Sequence, residues 1–303
     1  MAERVGFIGA AGLMGHGMAK NILAAGHPLS IMIHRNAERV ADLLAGGATA
    51  SPSIAELTRS VDIVVLCVPS SVEVEACMLG TDGILAAARS GQIVIDTTTA
   101  QPSSTLRIYE VASAKSVALA DAPLMRSPKD AEAGKLNSTV GADPALFERI
   151  RPLLATYCEN IWHVGPVGAG HTLKLVNNFI AQGTAAIIAE ACVTARKSGV
   201  DLEKLFEVIS NGGANSSVFQ RMMPWILEQS EGGMIFKLAL ARKDVRYYTR
   251  LAEEVNVASI VGAAVHQAFT LALNQGEGED YVPSLARGLG KANGVSIGPR
   301  RRD

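Results

Sequence analysis

Two groups of residues have the types and spacing to do chemistry. Lys174 and Asn178 lie four apart in Leu173-Lys174-Leu175-Val176-Asn177-Asn178, so on a helix they share one face. An ammonium group carries a proton, and burial lowers its pKa toward neutrality, which suits a proton donor. Asn178 can hold a substrate hydroxyl with one amide group while its other end stays hydrogen-bonded. A single lysine on a helix is usually a snorkelling surface residue. Here the pair sits among apolar neighbours, after the glycine-rich lead-in Gly165-Pro166-Val167-Gly168-Ala169-Gly170.

The second group is Gly9-Ala10-Ala11-Gly12-Leu13-Met14-Gly15, between a short apolar run and a helical pattern. Glycines there allow a tight turn and bring backbone N–H groups to a pyrophosphate at a helix N-terminus. The common spacing is G-x-G-x-x-G, and this loop has one more residue between its first two glycines. Gly9, Ala11, Gly12, Leu13, Met14 and Gly15 are the candidate cofactor contacts. An NAD site usually offers a carboxylate about 20 residues further on, for the ribose 2′-OH. This chain offers Ile33-His34-Arg35-Asn36 instead. Arg35 can pair with a 2′-phosphate, with His34 beside it, so NADP is favoured and NAD stays open. The alternative for Arg35 is a solvated strand end.

These residues need elements to position them. Arg4–Gly9, Leu29–Ile33, Val61–Val68, Ile93–Asp96 and Val117–Asp121 are short apolar runs separated by helical segments. That alternation indicates βαβ units and a parallel sheet. Beyond Gly165 strand signals nearly vanish, and helices are expected at Leu173–Arg196, Leu202–Ser210, Val218–Gln229, Leu238–Val255 and Ile260–Asn274. The expected fold is therefore α/β, a Rossmann-type parallel-sheet domain over residues 1–164 followed by an all-helical domain over 165–303.

Composition excludes several classes of function. The 303 residues are 48% hydrophobic and 19% charged, with a net charge of −1. A real core is expected, with no general attraction to nucleic acid or to an acidic membrane surface. No apolar run is long enough to span a membrane, and no secretory leader is visible. Cys67, Cys77, Cys158 and Cys192 lack metal or disulfide-framework spacing, so no metal is expected. A cytoplasmic protein with reduced thiols is expected.

The chain resembles the β-hydroxyacid dehydrogenase family over nearly its whole length. Gly6-Phe7-Ile8-Gly9 through Met14-Gly15 is similar to the family's cofactor signature apart from the extra residue. Gly165 to Asn178 is similar to its G-x-x-G-x-G-x-x-x-K-x-x-N-N segment. The resemblance implies that Lys174 is the catalytic acid/base, assisted by Asn178. Leu66-Cys67-Val68-Pro69 resembles the strand end under the cofactor, implicating Val68 and Pro69. Asp96-Thr97-Thr98-Thr99 resembles the D-x-S-T segment, which would put Thr99 near nicotinamide and substrate. Phe236 with Lys243-Asp244 resembles a late F…K-D pair whose lysine, Lys243, reaches the cofactor.

One segment departs from the family. Where its substrate loop commonly reads D-A-P-V-S-G-G, this chain reads Asp121-Ala122-Pro123-Leu124-Met125-Arg126-Ser127. Arg126 adds a fixed positive charge with a fork of donors, as in the branches that handle sulfolactaldehyde. The change suggests a substrate with a carboxylate or sulfonate head held by Met125, Arg126 and Ser127; the alternative is Arg126 turned to solvent. The expected activity is NAD(P)-dependent interconversion of a small anionic semialdehyde and its hydroxy acid. An imine reductase or a non-catalytic cofactor-binding relative are the alternatives. A homodimer or homotetramer is expected, the long helix burying one side against a symmetry mate.

Overall fold

The computed structural model describes residues 2–33, 37–230 and 233–299. The chain forms two compact units, Met1–Lys174 and Leu175–Asp303, so the helix Ala169–Lys197 contributes to both. The first unit is built on strands β1 (Val5–Ile8), β2 (Leu29–Met32), β3 (Thr49–Ser51), β4 (Ile63–Leu66), β5 (Ile93–Asp96), β6 (Ala118–Asp121), β7 (Leu124–Met125), β8 (Leu136–Gly141) and β9 (Cys158–Gly165). Their order is β3-β2-β1-β4-β5-β6-β8-β7, with β9 on β8.

The first six strands are parallel, and the central ones are apolar on both faces because both faces are covered. Val5, Phe7, Ile63, Val65, Ile93 and Ile95 face a core completed by Met18 and Ile22 of the helix Gly15–Ala24 and by Phe147 and Ile150 of Pro144–Leu154. Ile8, Val64, Leu66, Val94 and Leu119 face the other core, with Val74 and Met78 of Ser71–Leu79 and Ile108 of Pro102–Ala114. Each large aliphatic side chain buried this way contributes about 1.5–3 kcal/mol, and together they fix where the strands end.

Those ends matter most for function. Ile8, Leu66, Asp96 and Asp121 stand abreast in the register. The residues that follow them, Gly9, Cys67, Thr97 and Ala122, all leave the sheet at its carboxyl edge. The order 3-2-1-4-5-6 reverses between β1 and β4, and such a switch point opens the crevice where α/β sheets bind ligands.

β3 and the extension β7–β9 are additional to the strands expected from sequence. The latter is mixed: β8 runs antiparallel to β6 and β7 and parallel to β9. β7 has two residues, β8 buries Ser138 and Thr139, and β9 is half-buried to exposed beyond Cys158, without alternation. None of the three carries a hydrophobic period.

In the second unit the helices Leu202–Ser210, Ser217–Ile226, Leu238–Glu254, Ile260–Ala272 and Ser284–Ala292 join the distal part of Ala169–Lys197. Ala189, Cys192, Met222, Met223, Leu238, Val245, Phe269 and Leu285 form the core. Ser284–Ala292 is additional to the helices expected from sequence. Gly288 and Gly290 weaken its helical signal, but a Cβ at Gly288 would lie 2.7 Å from that of Ala272, so the small residue permits tight packing. Among the described residues no helix is long and apolar enough to cross a membrane.

Candidate active site

At the end of β1, Gly9 adopts φ +103°, a left-handed conformation that favours glycine. A Cβ there would lie 2.1 Å from the Cys67 carbonyl oxygen, and one at Gly15 would lie 2.2 Å from the Gly9 carbonyl oxygen. The extra residue is absorbed in a turn closed by the Gly12 N–H donating to the Gly9 carbonyl at 3.0 Å. Gly12 and Leu13 are exposed, Ala11 and Met14 half-buried. The helix Gly15–Ala24 has no side-chain cap and no acidic residue in its first turn. The His16 and Met18 N–H groups of its first turn donate to the Gly12 and Met14 carbonyls at 3.0 and 3.3 Å; the turn as a whole lies at the positive end of the helix dipole, which favours an anion. A nicotinamide dinucleotide therefore fits this loop. His34 and Arg35 lie outside the described residues.

The neighbouring loops share the same edge. The Val68 N–H donates to Thr98 Oγ1 at 3.2 Å and the Thr97 hydroxyl donates to the Leu66 carbonyl at 2.6 Å. These bonds tie the turn bearing Val68 and Pro69 to the turn bearing Thr99, which is half-buried. Burial pushes the Cys67 thiol up to about 11, so no thiolate forms there near neutral pH. The same cause raises Cys77, Cys158 and Cys192, and thiol chemistry is not what this edge offers.

The loop after β6 is held by its own secondary structure. Met125 pairs with Asn137 in β8. Ser127 caps the helix Pro128–Glu132, accepting from the Asp130 N–H and forming a capping box with Asp130. Arg126 sits at φ +83°, an unusual conformation for a residue with a side chain, at a position where the resembling loop has glycine. Its guanidinium makes an ion pair with Glu159 at 2.6 Å and donates to the Lys135 carbonyl at 2.7 Å. Glu159 and Lys135 lie in or beside the missed strands, so the sequence carried no signal of this anchoring.

The glycine loop and this loop are also coupled. A Cβ at Gly17 would meet the backbone of Ala131 and Glu132 at 2.4 Å, so the two helices touch backbone to backbone. Asn21 Nδ2 donates to the Ala131 carbonyl at 2.9 Å. His16 Nδ1 lies 2.6 Å from Glu132 Oε1, and Nε2 lies 3.0 Å from Asp42 Oδ1. Burial of the ring pulls its pKa down, but the hydrogen bonds to Glu132 and Asp42 outweigh that, and the net shift is upward from 6.5. A raised folded value means a contribution present in full below about pH 6.5 and lost as pH rises through the folded pKa. Urea unfolding across pH 6 to 8 is expected to show about 0.5–1 kcal/mol lost, and His16→Gln to abolish that slope. An equal slope in the variant contradicts the assignment.

Lys174 is buried at 9% exposure and lies on the same helix as Asn178, at 7%. In the second unit, Asn178 Nδ2 donates to Asp244 Oδ2 at 2.7 Å, and the neighbouring Asn177 donates to Asn178 Oδ1 at 3.2 Å. Lys243 Nζ is 3.1 Å from Asp244 Oδ1 and lies over the Tyr247 ring. The buried Asp244 thus orients both the amide and the lysine, a role the sequence reading did not give it. Phe236 packs at the edge of the helical core.

Residues 4–165 match the family described as the NAD binding domain of 6-phosphogluconate dehydrogenase, and residues 168–287 that of the NAD-binding of NADP-dependent 3-hydroxyisobutyrate dehydrogenase. The chain is 32% identical over 97% of its length to 2-(hydroxymethyl)glutarate dehydrogenase of Eubacterium barkeri, covering 97% of that protein. The chain belongs to the β-hydroxyacid dehydrogenase family. It is 31% identical to 3-hydroxyisobutyrate dehydrogenase of Pseudomonas aeruginosa, with 94% of this chain and 98% of that one covered. Among solved structures, Mycobacterium tuberculosis 3-hydroxyisobutyrate dehydrogenase with L-serine matches at a TM-score of 0.84 and 26% identity, covering 95% and 99% of the two chains. This β-hydroxyacid dehydrogenase is thus an NAD(P)-dependent oxidoreductase of the hydroxyacid and semialdehyde class.

Proposed function

We propose that this dehydrogenase reduces a small semialdehyde with an anionic head to its hydroxy acid, reversibly, with Lys174 supplying the proton. The observation that carries the reading is a buried lysine one helical turn from an asparagine that a buried carboxylate holds in place. The nicotinamide, when bound, supplies the hydride to the carbonyl carbon. Lys174 delivers its proton to the developing alkoxide and stabilises the charge. Asn178, its amide nitrogen fixed by Asp244, orients the reacting oxygen, and Thr99 bounds the site from the end of β5. The glycine loop Gly9–Gly15 and the Val68–Pro69 turn hold the dinucleotide, and the resemblance of Phe236 with Lys243-Asp244 to the family's late F…K-D pair supports Lys243 as a further cofactor-binding residue.

NADP is the proposed cofactor, because Ile33-His34-Arg35-Asn36, which follows β2 in the sequence, offers Arg35 and His34 and no carboxylate. Met125, Arg126 and Ser127 take the anionic head. Arg126 has donors beyond those used by Glu159 and the Lys135 carbonyl, since a guanidinium carries five N–H groups. We place the boundary between the cofactor-binding and helical domains at residues 164 and 165, and the enzyme in the cytoplasm. A homo-oligomer is proposed because Leu173, Ile180 and Ile187 recur every seven residues on the long helix and are 41%, 63% and 68% exposed.

NADPH and NADH oxidation with a panel of semialdehydes bearing carboxylate, sulfonate or no charge tests this reading. An anionic member is expected to be turned over best, and with NADPH. Arg126→Ala is expected to raise KM for it about tenfold or more, in line with a lost charge-assisted hydrogen bond of about 1.5–3 kcal/mol. Preference for the uncharged aldehyde, or an unchanged KM in the variant, removes Arg126 and the anion from the site.

A further inference from the structure

Beneath the start of the lysine helix lies a buried polar node with no part in the reaction described above. Asp121, the last residue of β6, is 0% exposed. Its Oδ1 accepts the Gly168 N–H and its Oδ2 accepts the His171 N–H, both at 2.7 Å. First-turn donors have no partner within their own helix, so a carboxylate delivered by the sheet caps Ala169–Lys197 at the positive end of its dipole. Burial pushes the Asp121 carboxyl upward in pKa, and the two N–H donors oppose it. The approach leaves no room for side chains: a Cβ at Gly141 would lie 2.4 Å from Oδ1, and one at Gly170 would lie 2.8 Å from Oδ2. This gives Gly170 of the glycine-rich lead-in, and Gly141 of β8, a physical reason.

His171 completes the node. It is fully buried, its Nδ1 lies 2.7 Å from Thr105 Oγ1, and its ring nitrogens lie 3.8 Å from Asp121 Oδ2 and 3.9 Å from Asp96 Oδ2. Its Nε2 has no hydrogen-bond partner among the described residues. Asp96 in turn accepts the Thr98 N–H at 2.9 Å, shaping the turn that carries Thr99. The node therefore joins the end of β5, the start of the Pro123–Ser127 loop and the first turn of the lysine helix. Lys174 follows His171 by three residues.

We propose that Asp121, His171 and Thr105 are positioning residues, which fix the rotation and height of the helix's first turn and so place the Lys174 ammonium relative to Thr99 and the loop after β6. The inference rests on Lys174 being the proton donor. A misplacement of about 1 Å at a reacting group costs about 100-fold in rate.

The test uses Asp121→Asn, His171→Gln and Thr105→Val in the full chain, with Lys174→Ala alongside. An asparagine keeps one accepting oxygen and turns its NH2 against a backbone N–H. Asp121→Asn is expected to lower kcat about 10- to 100-fold, and the other two about 3- to 10-fold. Cofactor Kd and binding stoichiometry, followed by NADPH fluorescence, are expected to stay unchanged. The isotope effect on kcat with C4-deuterated NADPH is expected to equal or exceed that of the unmodified enzyme. If Asp121→Asn does not fold, His171→Gln and Thr105→Val carry the same measurements. Turnover per cofactor-binding site within twofold of normal in all folded variants, or a loss fully matched by lost binding sites, overturns the proposal. Near-normal turnover in Lys174→Ala instead rejects the proton-donor reading on which it rests.

Discussion

Lys174→Ala is expected to lower kcat by about 10²–10⁴-fold while leaving the cofactor Kd within about twofold. Hydride addition to a carbonyl creates an alkoxide, and a proton placed within reach stabilises the charge as it forms. A loss of 10³ corresponds to about 4 kcal/mol of transition-state free energy. The lysine suits this task because it is buried at 9% exposure on a helix whose first turn is capped by Asp121. Lys174→Arg keeps the charge but holds its proton at a pKa above about 12, so it is expected to recover little activity. Steady-state kinetics beside a fluorescence titration of the cofactor separates the two quantities. Equal losses in kcat and in cofactor binding contradict a role confined to proton delivery.

Gly9→Ala is expected to weaken cofactor binding about 10- to 100-fold and to destabilise the fold by about 1–3 kcal/mol, the cost of a side chain forced into the left-handed region. Steric overlap adds to the conformational cost, since the new methyl would lie 2.1 Å from the Cys67 carbonyl oxygen. That oxygen belongs to backbone leaving β4, so relief requires parting the ends of β1 and β4, where the dinucleotide is to lie. Gly12→Ala is the control for stability alone, because its Cβ meets one atom, the Gly9 carbonyl oxygen, at 3.1 Å. Thermal unfolding of both variants checks that contrast, and calorimetric titration of Gly9→Ala with NADPH checks the loss of binding. Equal losses of stability in the two contradict the geometry assigned to Gly9.

The parts of the molecule legible in sequence are those with a local signature. Lys174 and Asn178 share a helix face by spacing alone. The glycine loop announces itself between β1 and its helix, although the turn that absorbs the extra residue, Gly12 N–H to Gly9 carbonyl, is visible only in the structure. What the sequence hides depends on pairings far along the chain. Asp121 reaches Gly168 and His171 across a separation of some fifty residues, permitted by Gly141 and Gly170, where a side chain would meet its carboxylate. Arg126 reads as an anion-binding group, yet its ion pair with Glu159 needs β9, an edge strand without hydrophobic alternation. Its positive φ likewise has no signature, since arginine is not a residue that favours that region.

The most direct measurement is a single turnover of the enzyme with C4-deuterated NADPH and a carboxylate- or sulfonate-bearing semialdehyde, with the product examined by NMR and Lys174→Ala run beside it. The expected result is a hydroxy acid with one deuterium on the carbinol carbon, formed quickly by the unmodified enzyme and orders of magnitude more slowly by the variant with its cofactor bound. An unlabelled product, no turnover with any anionic semialdehyde, or equal rates in the two proteins contradicts it.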